Sequence, residues 1–300
     1  MPSTSRSARP TQESRSRRLP ALAALATAVA LTVGIGAPAY AAEPDPVSSS
    51  PSAEGSPARP LPPLHPERDF AGSTVAAHEG RASTAGIAAL AVTQTPGLDV
   101  ASYQGNVNWS SVAANGARFA YVKATEGTTY TNPYFAQQYN GSYNAGLIRG
   151  AYHFALPDRS SGAAQANWFV DHGGGWSRDG KTLPPALDIE YNPYGATCFG
   201  LSQAAMVSWI RSFSDTVRSR TGRYPTIYTT TNWWSSCTGN NASFGATNPL
   251  WIARYASAVG TLPAGWSYQT FWQYADSGTF PGDQNLFNGA YDRLQALANG

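Results

Sequence analysis

The feature that most constrains the fold of this 300-residue chain is a regular alternation of strand-like and helix-like segments after residue 97. Five short runs rich in β-branched and aromatic residues are each followed by a polar or amphipathic stretch. These runs are LDVASY (98–103), FAYVKA (119–124), IRGAYHFA (148–155), PALDIE (185–190) and TIYTT (226–230). Strands that alternate with helices pair in parallel, which predicts an α/β fold.

The intervening stretches favour helices at residues 109–114, 133–145, 160–171 and 202–220. Beyond residue 230 the helical signal fades, and three more strand-like segments follow: LWIAR (250–254), TFWQY (270–274) and a short one near Asp283. Seven or eight strands predict closure into a TIM-like (β/α) barrel, with an open doubly wound sheet as the alternative. No G-x-G-x-x-G follows any strand-like run, which disfavours a nucleotide-binding version of that sheet.

Residues 1–41 have the pattern of a secretory signal peptide. Five arginines and one acid precede an uncharged apolar stretch at residues 19–35, and an A-Y-A sequence at 39–41 supplies small residues for cleavage. The alternative is a membrane-spanning helix, for which the apolar stretch is short. The S-R-R-L sequence at 16–19 partly matches a twin-arginine signal, so the export route stays open. We expect a secreted protein.

Removing this leader reverses the net charge, from +2 for the whole chain to −2 with 15 basic and 17 acidic residues. No basic stripe remains for nucleic acid and no later stretch is apolar enough to span a membrane, so we expect neither partner. Residues 42–93 are rich in proline and serine and predict a disordered linker or propeptide. Residues 94–300 have a globular composition and predict a single domain, which we expect to be monomeric.

The chain has two cysteines, Cys198 and Cys237. An even pair in an exported protein predicts a disulfide rather than a reactive thiol. Because the loop between them is long, the bond would stabilise the fold by about 3–4 kcal/mol in the chain-entropy model.

Two acids end the fourth strand-like run, where Asp188 and Glu190 follow an apolar approach. Side chains at i and i+2 of a strand point to the same side, roughly 6–7 Å apart. In a parallel barrel the functional face lies at the carboxyl ends of the strands, where Asp99 from the first strand and Asp283 near the last would join them. Clustered acids suit either a metal site or acid–base chemistry on a glycosidic bond.

Aromatic residues at or near the predicted strand ends favour sugar chemistry, because flat apolar rings stack on sugar faces. The predicted substrate-binding residues are Tyr152, Tyr191, Tyr228, Trp251 and Trp272. His153 in the third strand is expected to be a hydrogen-bonded core residue, and it has no partners at metal-ligand spacing. We therefore expect no metal and no cofactor.

Six motifs in order resemble the glycoside hydrolase family 25 lysozymes, the N,O-diacetylmuramidases, over residues 94–300. They are GLDVASYQG (97–105), FAYVKATEG (119–127), GAYHF (150–154), ALDIE (186–190), LWIARY (250–255) and FWQY (271–274). The resemblance implies a barrel of five β/α units followed by three further strands. It also implies hydrolysis of the β-1,4 bond from N-acetylmuramic acid to N-acetylglucosamine in peptidoglycan. The family's four acids fall on Asp99, Asp188, Glu190 and Asp283.

Glu190 is the predicted general acid, because its apolar approach and the neighbouring Asp188 should both raise its pKa. Asp188 would orient the substrate's own 2-acetamido group as the nucleophile, with retention of configuration; an inverting path with Asp188 or Asp99 as base stays open. A chitinase-like enzyme or an endo-N-acetylglucosaminidase is the nearest alternative, although the chitinase signature D-x-x-D-x-D-x-E meets Leu183 and Ala186 where it needs aspartate. The alternative of another class is a wall-binding module that holds glycan without cutting it.

Overall fold

A computed structural model of the protein describes residues 63–85 and 94–300, so the predicted leader and the rest of residues 42–93 lie outside the described residues. Eight strands close into one barrel, and a ninth forms a short hairpin. The strands are β1 (Thr95–Val100), β2 (Phe119–Glu126), β3 (Tyr130–Thr131), β4 (Ile148–Phe154), β5 (Ala186–Asp188), β6 (Thr226–Thr229), β7 (Leu250–Ala253), β8 (Phe271–Ala275) and β9 (Asp283–Phe287). Strand β3 pairs only with β2, and the pairing of β1 with both β2 and β9 closes the barrel. The predicted TIM-like barrel is confirmed.

The helices surround the barrel and connect its strands. They are α1 (Val75–Glu79), α2 (Trp109–Ala114), α3 (Phe135–Asn144), α4 (Gly162–Asp171), α5 (Gln203–Thr221), α6 (Thr231–Thr238) and α7 (Tyr291–Asn299). Helices α2 to α5 lie where the sequence predicts them. Helix α6 was not predicted from its residues; it is held by the Thr230 side chain, which accepts from Trp233 N at 3.0 Å, and by the burial of Trp233 and Trp234. It completes the fifth β/α unit that the family resemblance implies.

The direction of strand β9 was not predicted from the sequence: it runs antiparallel to both β8 and β1. Residues 276–282 alone join β8 to β9. A parallel pair needs a crossover of a dozen or more residues, whereas a short turn returns the chain in the opposite direction. The amino end of β9 therefore lies at the same end of the barrel as the carboxyl ends of the parallel strands.

Aromatic rings fill the barrel interior. Tyr121 and Trp251 stack with their ring centroids 4.7 Å apart, and Phe119 and Phe271 pack beside them at 5.2 Å from each other. A second apolar layer lies between the barrel and helices α4 to α6, where Leu187 and other outward residues meet the helices. The interior is thus packed, and chemistry is confined to the barrel end.

Residues 63–85, which we call the strap, fall within the stretch predicted to be a disordered linker or propeptide, and the structure describes them as a segment packed on the barrel. The strap includes α1, and the side chains of Ala71 and Val75 are fully buried against the barrel. These few apolar side chains form no periodic pattern, and hydrogen bonds from the strap to polar groups of the barrel add to them.

The predicted disulfide between Cys198 and Cys237 is confirmed, with Cα atoms 5.3 Å apart. It ties the loop after β5 to the last turn of α6. Within residues 63–85 and 94–300, no helix combines the length and the apolarity that a membrane crossing requires.

Candidate active site at the barrel mouth

The four predicted acids lie together at one end of the barrel. Asp188 is the last residue of β5, and Glu190 follows two residues later. Asp99 in β1 lies directly opposite Asp283, the first residue of β9. Each of the four is at most 2% exposed. The antiparallel direction of β9 is what brings Asp283 to this end.

Asp99 and Asp283 share one hydrogen-bond donor, the amide nitrogen Nε2 of Gln273. The donor lies 2.9 Å from Asp99 Oδ2 and 3.0 Å from Asp283 Oδ2. Asn285 Nδ2 also donates to Asp99 Oδ2, at 2.6 Å. Burial raises the pKa of Asp99 to about 7, although the hydrogen bonds from these two amides act to lower it. Burial and the charge of Asp99 raise the pKa of Asp283.

Asp188 differs from the other three acids, because neither of its carboxyl oxygens has a hydrogen-bond partner among the described residues. Burial and the adjacent charge of Glu190 hold the pKa of Asp188 well above its usual range. A buried carboxyl with both oxygens unpaired is costly, so its position indicates a function that requires a donor from a ligand.

Glu190 accepts two hydrogen bonds, both from the strap: from Gly72 N at 2.7 Å and from Thr74 Oγ1 at 2.6 Å. Burial raises the pKa of Glu190 to about 8, although both hydrogen bonds act to lower it. A carboxyl of this kind retains its proton near neutral pH, which is what a general acid requires.

Three of the five predicted substrate-binding aromatics lie beside these acids. The Tyr228 hydroxyl donates to Gln273 Oε1 at 2.7 Å. The Tyr152 hydroxyl accepts from Ala71 N of the strap, at 3.2 Å. The Tyr191 hydroxyl donates to Glu79 Oε1 of α1, at 2.8 Å. Two of the three hydroxyls, those of Tyr152 and Tyr191, thus bond to the strap.

The two predicted tryptophans are not at the mouth. Trp251 is fully buried among the interior rings, and its Nε1 donates to Asn285 Oδ1 at 2.7 Å, so it supports the residue that holds Asp99. Trp272 lies on the outer face of the barrel, packed with Leu250, Ile252 and Leu286. Successive strand residues face opposite sides, and Gln273 faces inwards, so Trp272 must face out. The structure therefore does not bring Trp272 to the acids at the mouth.

Several residues of the site were not singled out from the sequence. Gln273 lies in FWQY and Tyr255 in LWIARY, and the Tyr255 hydroxyl donates to Gln273 Oε1 at 3.1 Å. Lys123 and Glu126 in FAYVKATEG form a fully buried ion pair, with Nζ and Oε2 2.6 Å apart. The alternation of strand residues could have indicated that Gln273 faces the barrel interior. A charged residue within an apolar strand could have indicated that Lys123 has a buried partner.

His153 is a core residue, as predicted. Its Nδ1 lies 2.7 Å from Thr125 Oγ1 and its Nε2 lies 2.9 Å from Gln165 Oε1. Burial lowers the pKa of His153 to about 3, so the ring is neutral. Over the described ranges, no three His, Cys, Asp or Glu side chains are arranged to hold a metal ion.

A (β/α) barrel with a pair of buried carboxyls at its mouth fits the class of glycoside hydrolases. The family model described as "Glycosyl hydrolases family 25" matches residues 98–283. The chain belongs to glycoside hydrolase family 25.

Known relatives are similar over the barrel. An N,O-diacetylmuramidase from Chalaropsis sp is 54% identical over 208 residues, which cover 68% of this chain and 99% of that protein. Lysozyme M1 of Streptomyces globisporus is 51% identical, and the match covers 68% of this chain and 71% of that protein. The structure of a muramidase from Acremonium alcalophilum is 59% identical with a TM-score of 0.68, covering 69% of this chain and 99% of that one.

Proposed function

We propose that this protein is a muramidase that hydrolyses the β-1,4 bond between N-acetylmuramic acid and N-acetylglucosamine in peptidoglycan. The observation that most supports this proposal is the pair of acids at the end of β5. Asp188 and Glu190 are both buried, and both have a raised pKa. Its relatives include proteins named N,O-diacetylmuramidase and lysozyme at about half identity, which supports this substrate over chitin.

Glu190 is the proton donor in this proposal. Its carboxyl gives its proton to the glycosidic oxygen as the bond to the anomeric carbon breaks, so the leaving sugar departs as a neutral alcohol. Low exposure and the surrounding negative charge keep the proton on Glu190 until that moment.

Asp188 acts on the N-acetylmuramic acid whose anomeric carbon belongs to the bond that breaks. Its two unpaired oxygens suit an N–H donor, which the 2-acetamido group of muramic acid supplies. The acetamido oxygen then attacks the anomeric carbon and forms a cyclic oxazolinium ion. The N–H donor favours the ionised form of Asp188 against the burial that raises its pKa, and the resulting anion stabilises the positive charge. Water opens the ring, with the Glu190 carboxylate as base, and the product retains its configuration.

Asp99 and Asp283 contribute negative charge behind the reacting pair. Both carboxyls are held by Gln273 at 2.9 and 3.0 Å, so their positions are fixed before substrate arrives. Because the two acids cannot both ionise cheaply, they supply one negative charge between them, and this charge favours the positively charged intermediate over the neutral substrate.

The leader pattern at residues 1–41 supports secretion of this enzyme, and the Cys198–Cys237 disulfide is compatible with an oxidising compartment. Peptidoglycan lies outside the cytoplasmic membrane, so an exported enzyme would meet its substrate there.

Mass analysis of fragments from purified peptidoglycan tests the proposed function. A muramidase leaves N-acetylmuramic acid at the new reducing end, whereas a glucosaminidase leaves N-acetylglucosamine there. A wall-binding module would release no new reducing ends. Either of the last two results would refute the muramidase proposal.

A further inference from the structure

The strap lies across the acids of the barrel mouth. Its Gly72 N–H and Thr74 hydroxyl occupy both carboxyl oxygens of Glu190, at 2.7 and 2.6 Å. The Ala71 carbonyl oxygen lies 2.8 Å from Gln273 Nε2, whose two hydrogens it shares with Asp99 and Asp283. The Gly72 carbonyl oxygen lies 3.1 Å from the Tyr255 hydroxyl, whose one proton it shares with Gln273 Oε1. With the strap in place, the acids are at most 2% exposed, and a sugar cannot reach them.

A second set of contacts holds the amino-terminal part of the strap. Lys123 Nζ donates to Asp69 O at 2.5 Å and to Pro66 O at 3.0 Å, in addition to Glu126. These three acceptors use all three donors of the buried ammonium group. The Tyr194 hydroxyl donates to the Asp69 carboxyl and accepts from His65 N.

The carboxyl-terminal part of the strap covers Tyr191, one of the predicted sugar-binding rings. The His78 ring stacks on Tyr191 with centroids 4.0 Å apart and planes 3° from parallel. Arg81 pairs with Asp276 in the turn between β8 and β9. The strap therefore occupies three groups of one cleft: the carboxyl of Glu190, the amide of Gln273 and the ring of Tyr191.

We propose that the strap is an intramolecular inhibitor that occupies the sugar-binding cleft, so that the chain is a latent glycosidase until the strap leaves. This inference rests on the proposed function only for the identity of the reaction that is blocked. The ligand of the cleft in the latent state is a peptide of the chain itself, bound mainly through its backbone amides.

Peptide and substrate compete for the same groups because they offer the same chemistry. The amide between Ala71 and Gly72 places its C=O on Gln273 and its N–H on Glu190. An N-acetyl sugar carries an amide with the same donor and acceptor. A tethered segment competes at an effective concentration in the millimolar range, so weak individual contacts suffice to keep the cleft closed.

Gly72 provides the test because only glycine fits its position. Its φ is +95°, and a Cβ there would clash with the Tyr255 hydroxyl and lie 2.6 Å from Gln273 Oε1. Gly72→Ala should therefore expel the strap while leaving every barrel residue unchanged. Gly80→Ala is the matched control: φ is +75° and the same backbone strain arises, but a Cβ there meets nothing within 4 Å.

A second pair of variants removes one hydroxyl each. Thr74→Val keeps the shape of the side chain and deletes its hydrogen bond to Glu190. Ser73→Ala deletes the neighbouring hydroxyl, which is buried without a hydrogen-bond partner in the described structure. The first change should loosen the strap and the second should not. Thermal unfolding shows whether Gly72→Ala folds. If it does not fold, this second pair of variants tests the proposal instead.

The full chain and the four variants are compared by three measurements: reducing ends released from peptidoglycan, binding of the tetramer of N-acetylglucosamine, and hydrogen exchange over residues 68–76. We expect Gly72→Ala to raise the rate of hydrolysis at least about tenfold, to bind the tetramer more tightly and to exchange faster. Thr74→Val should show smaller changes in the same direction, and both controls should match the unmodified chain.

Two results separate the strap inference from the proposed function. If the strap exchanges faster in Gly72→Ala but hydrolysis and tetramer binding stay equal or fall, the strap is not an inhibitor. If tetramer binding rises while none of the five proteins releases reducing ends, the strap does occupy the sugar cleft, and it is the proposed hydrolysis that fails.

Discussion

Asp99 and Asp283 face each other across the antiparallel pair β1 and β9, and a single amide, that of Gln273, donates to both carboxyls. Two buried acids so close cannot both ionise cheaply, so the shared donor offsets part of their repulsion. Gln273 is oriented in turn by the hydroxyls of Tyr228 and Tyr255, which reach its carbonyl oxygen at 2.7 and 3.1 Å.

Replacing Gln273 by Glu should destabilise the protein in a pH-dependent way, because a third carboxylate would face Asp99 and Asp283. The loss in melting temperature should be larger at pH 8 than at pH 5, where protonation relieves the repulsion. Gln273→Met removes the same donors without adding charge. Because those donors favour the ionised form of Asp99, the loss for Gln273→Met should also be larger at pH 8, but by less than for Gln273→Glu. Equal losses for both variants would show that charge at this position is unimportant.

Glu190→Gln should fold normally and lose hydrolysis by roughly 10²-fold or more, because the amide keeps the shape but has no acidic proton. The rate is measured as reducing ends released from peptidoglycan, both alone and combined with Gly72→Ala. Glu67→Gln, at an exposed strap position, is the control and should keep the parent rate. A Glu190→Gln rate above about a tenth of the parent would remove Glu190 from the role of general acid.

Asp188→Asn should slow hydrolysis because a neutral amide stabilises the positively charged oxazolinium ion less than an anion does. Proton NMR in the first minutes of reaction should detect the β-anomer from the parent enzyme, which means retention. The α-anomer would mean inversion; it would exclude the acetamido mechanism and make Asp188 or Asp99 the base for water.

Stability should fall as the pH rises from about 5 to 8. Burial raises the pKa of Asp99 and Glu126 to about 7 and that of Glu190 to about 8, above their ordinary values of 3.8, 4.5 and 4.5. Between these ordinary and raised values the folded protein binds more protons than the unfolded chain, so deprotonation favours unfolding. Thermal unfolding should give a melting temperature at pH 8 several degrees below that at pH 5. A flat profile would contradict the raised pKa values.

Replacing both Cys198 and Cys237 by Ser should lower the free energy of unfolding by about 3–4 kcal/mol, because the cross-link closes a loop with a sequence separation of 39. Denaturant unfolding of the parent in reductant should show the same loss. A parent protein that is insensitive to reductant would contradict a stabilising role for the bond.

The barrel could be predicted because its alternating segments carry the periodicities of strands and helices. Asp188 and Glu190 could be placed at the mouth because they end such a segment. The direction of β9 was missed, since β8 and β9 look like any two strands and only the short connection between them forces the reversal. Trp272 was predicted to bind sugar from its residue type and its nearness to a strand end, whereas the alternation that turns Gln273 inwards turns Trp272 outwards.

The strap could not be recognised from its own residues. Proline, glycine and charged side chains predict disorder, and the order of the strap depends on Lys123, Gln273 and Glu190, which lie far away in sequence. Because the contacts that order the strap are made by the barrel, the residues of the strap alone do not reveal them.

The closure of β1 against β9 has a consequence for how the enzyme is made. The pair joins residues separated by most of the domain, and it is the last sheet contact that synthesis permits. Asp283 and Asn285, which complete the acid cluster, arrive with that final strand. A nascent chain shorter than about 283 residues therefore has neither a closed barrel nor a complete set of acids.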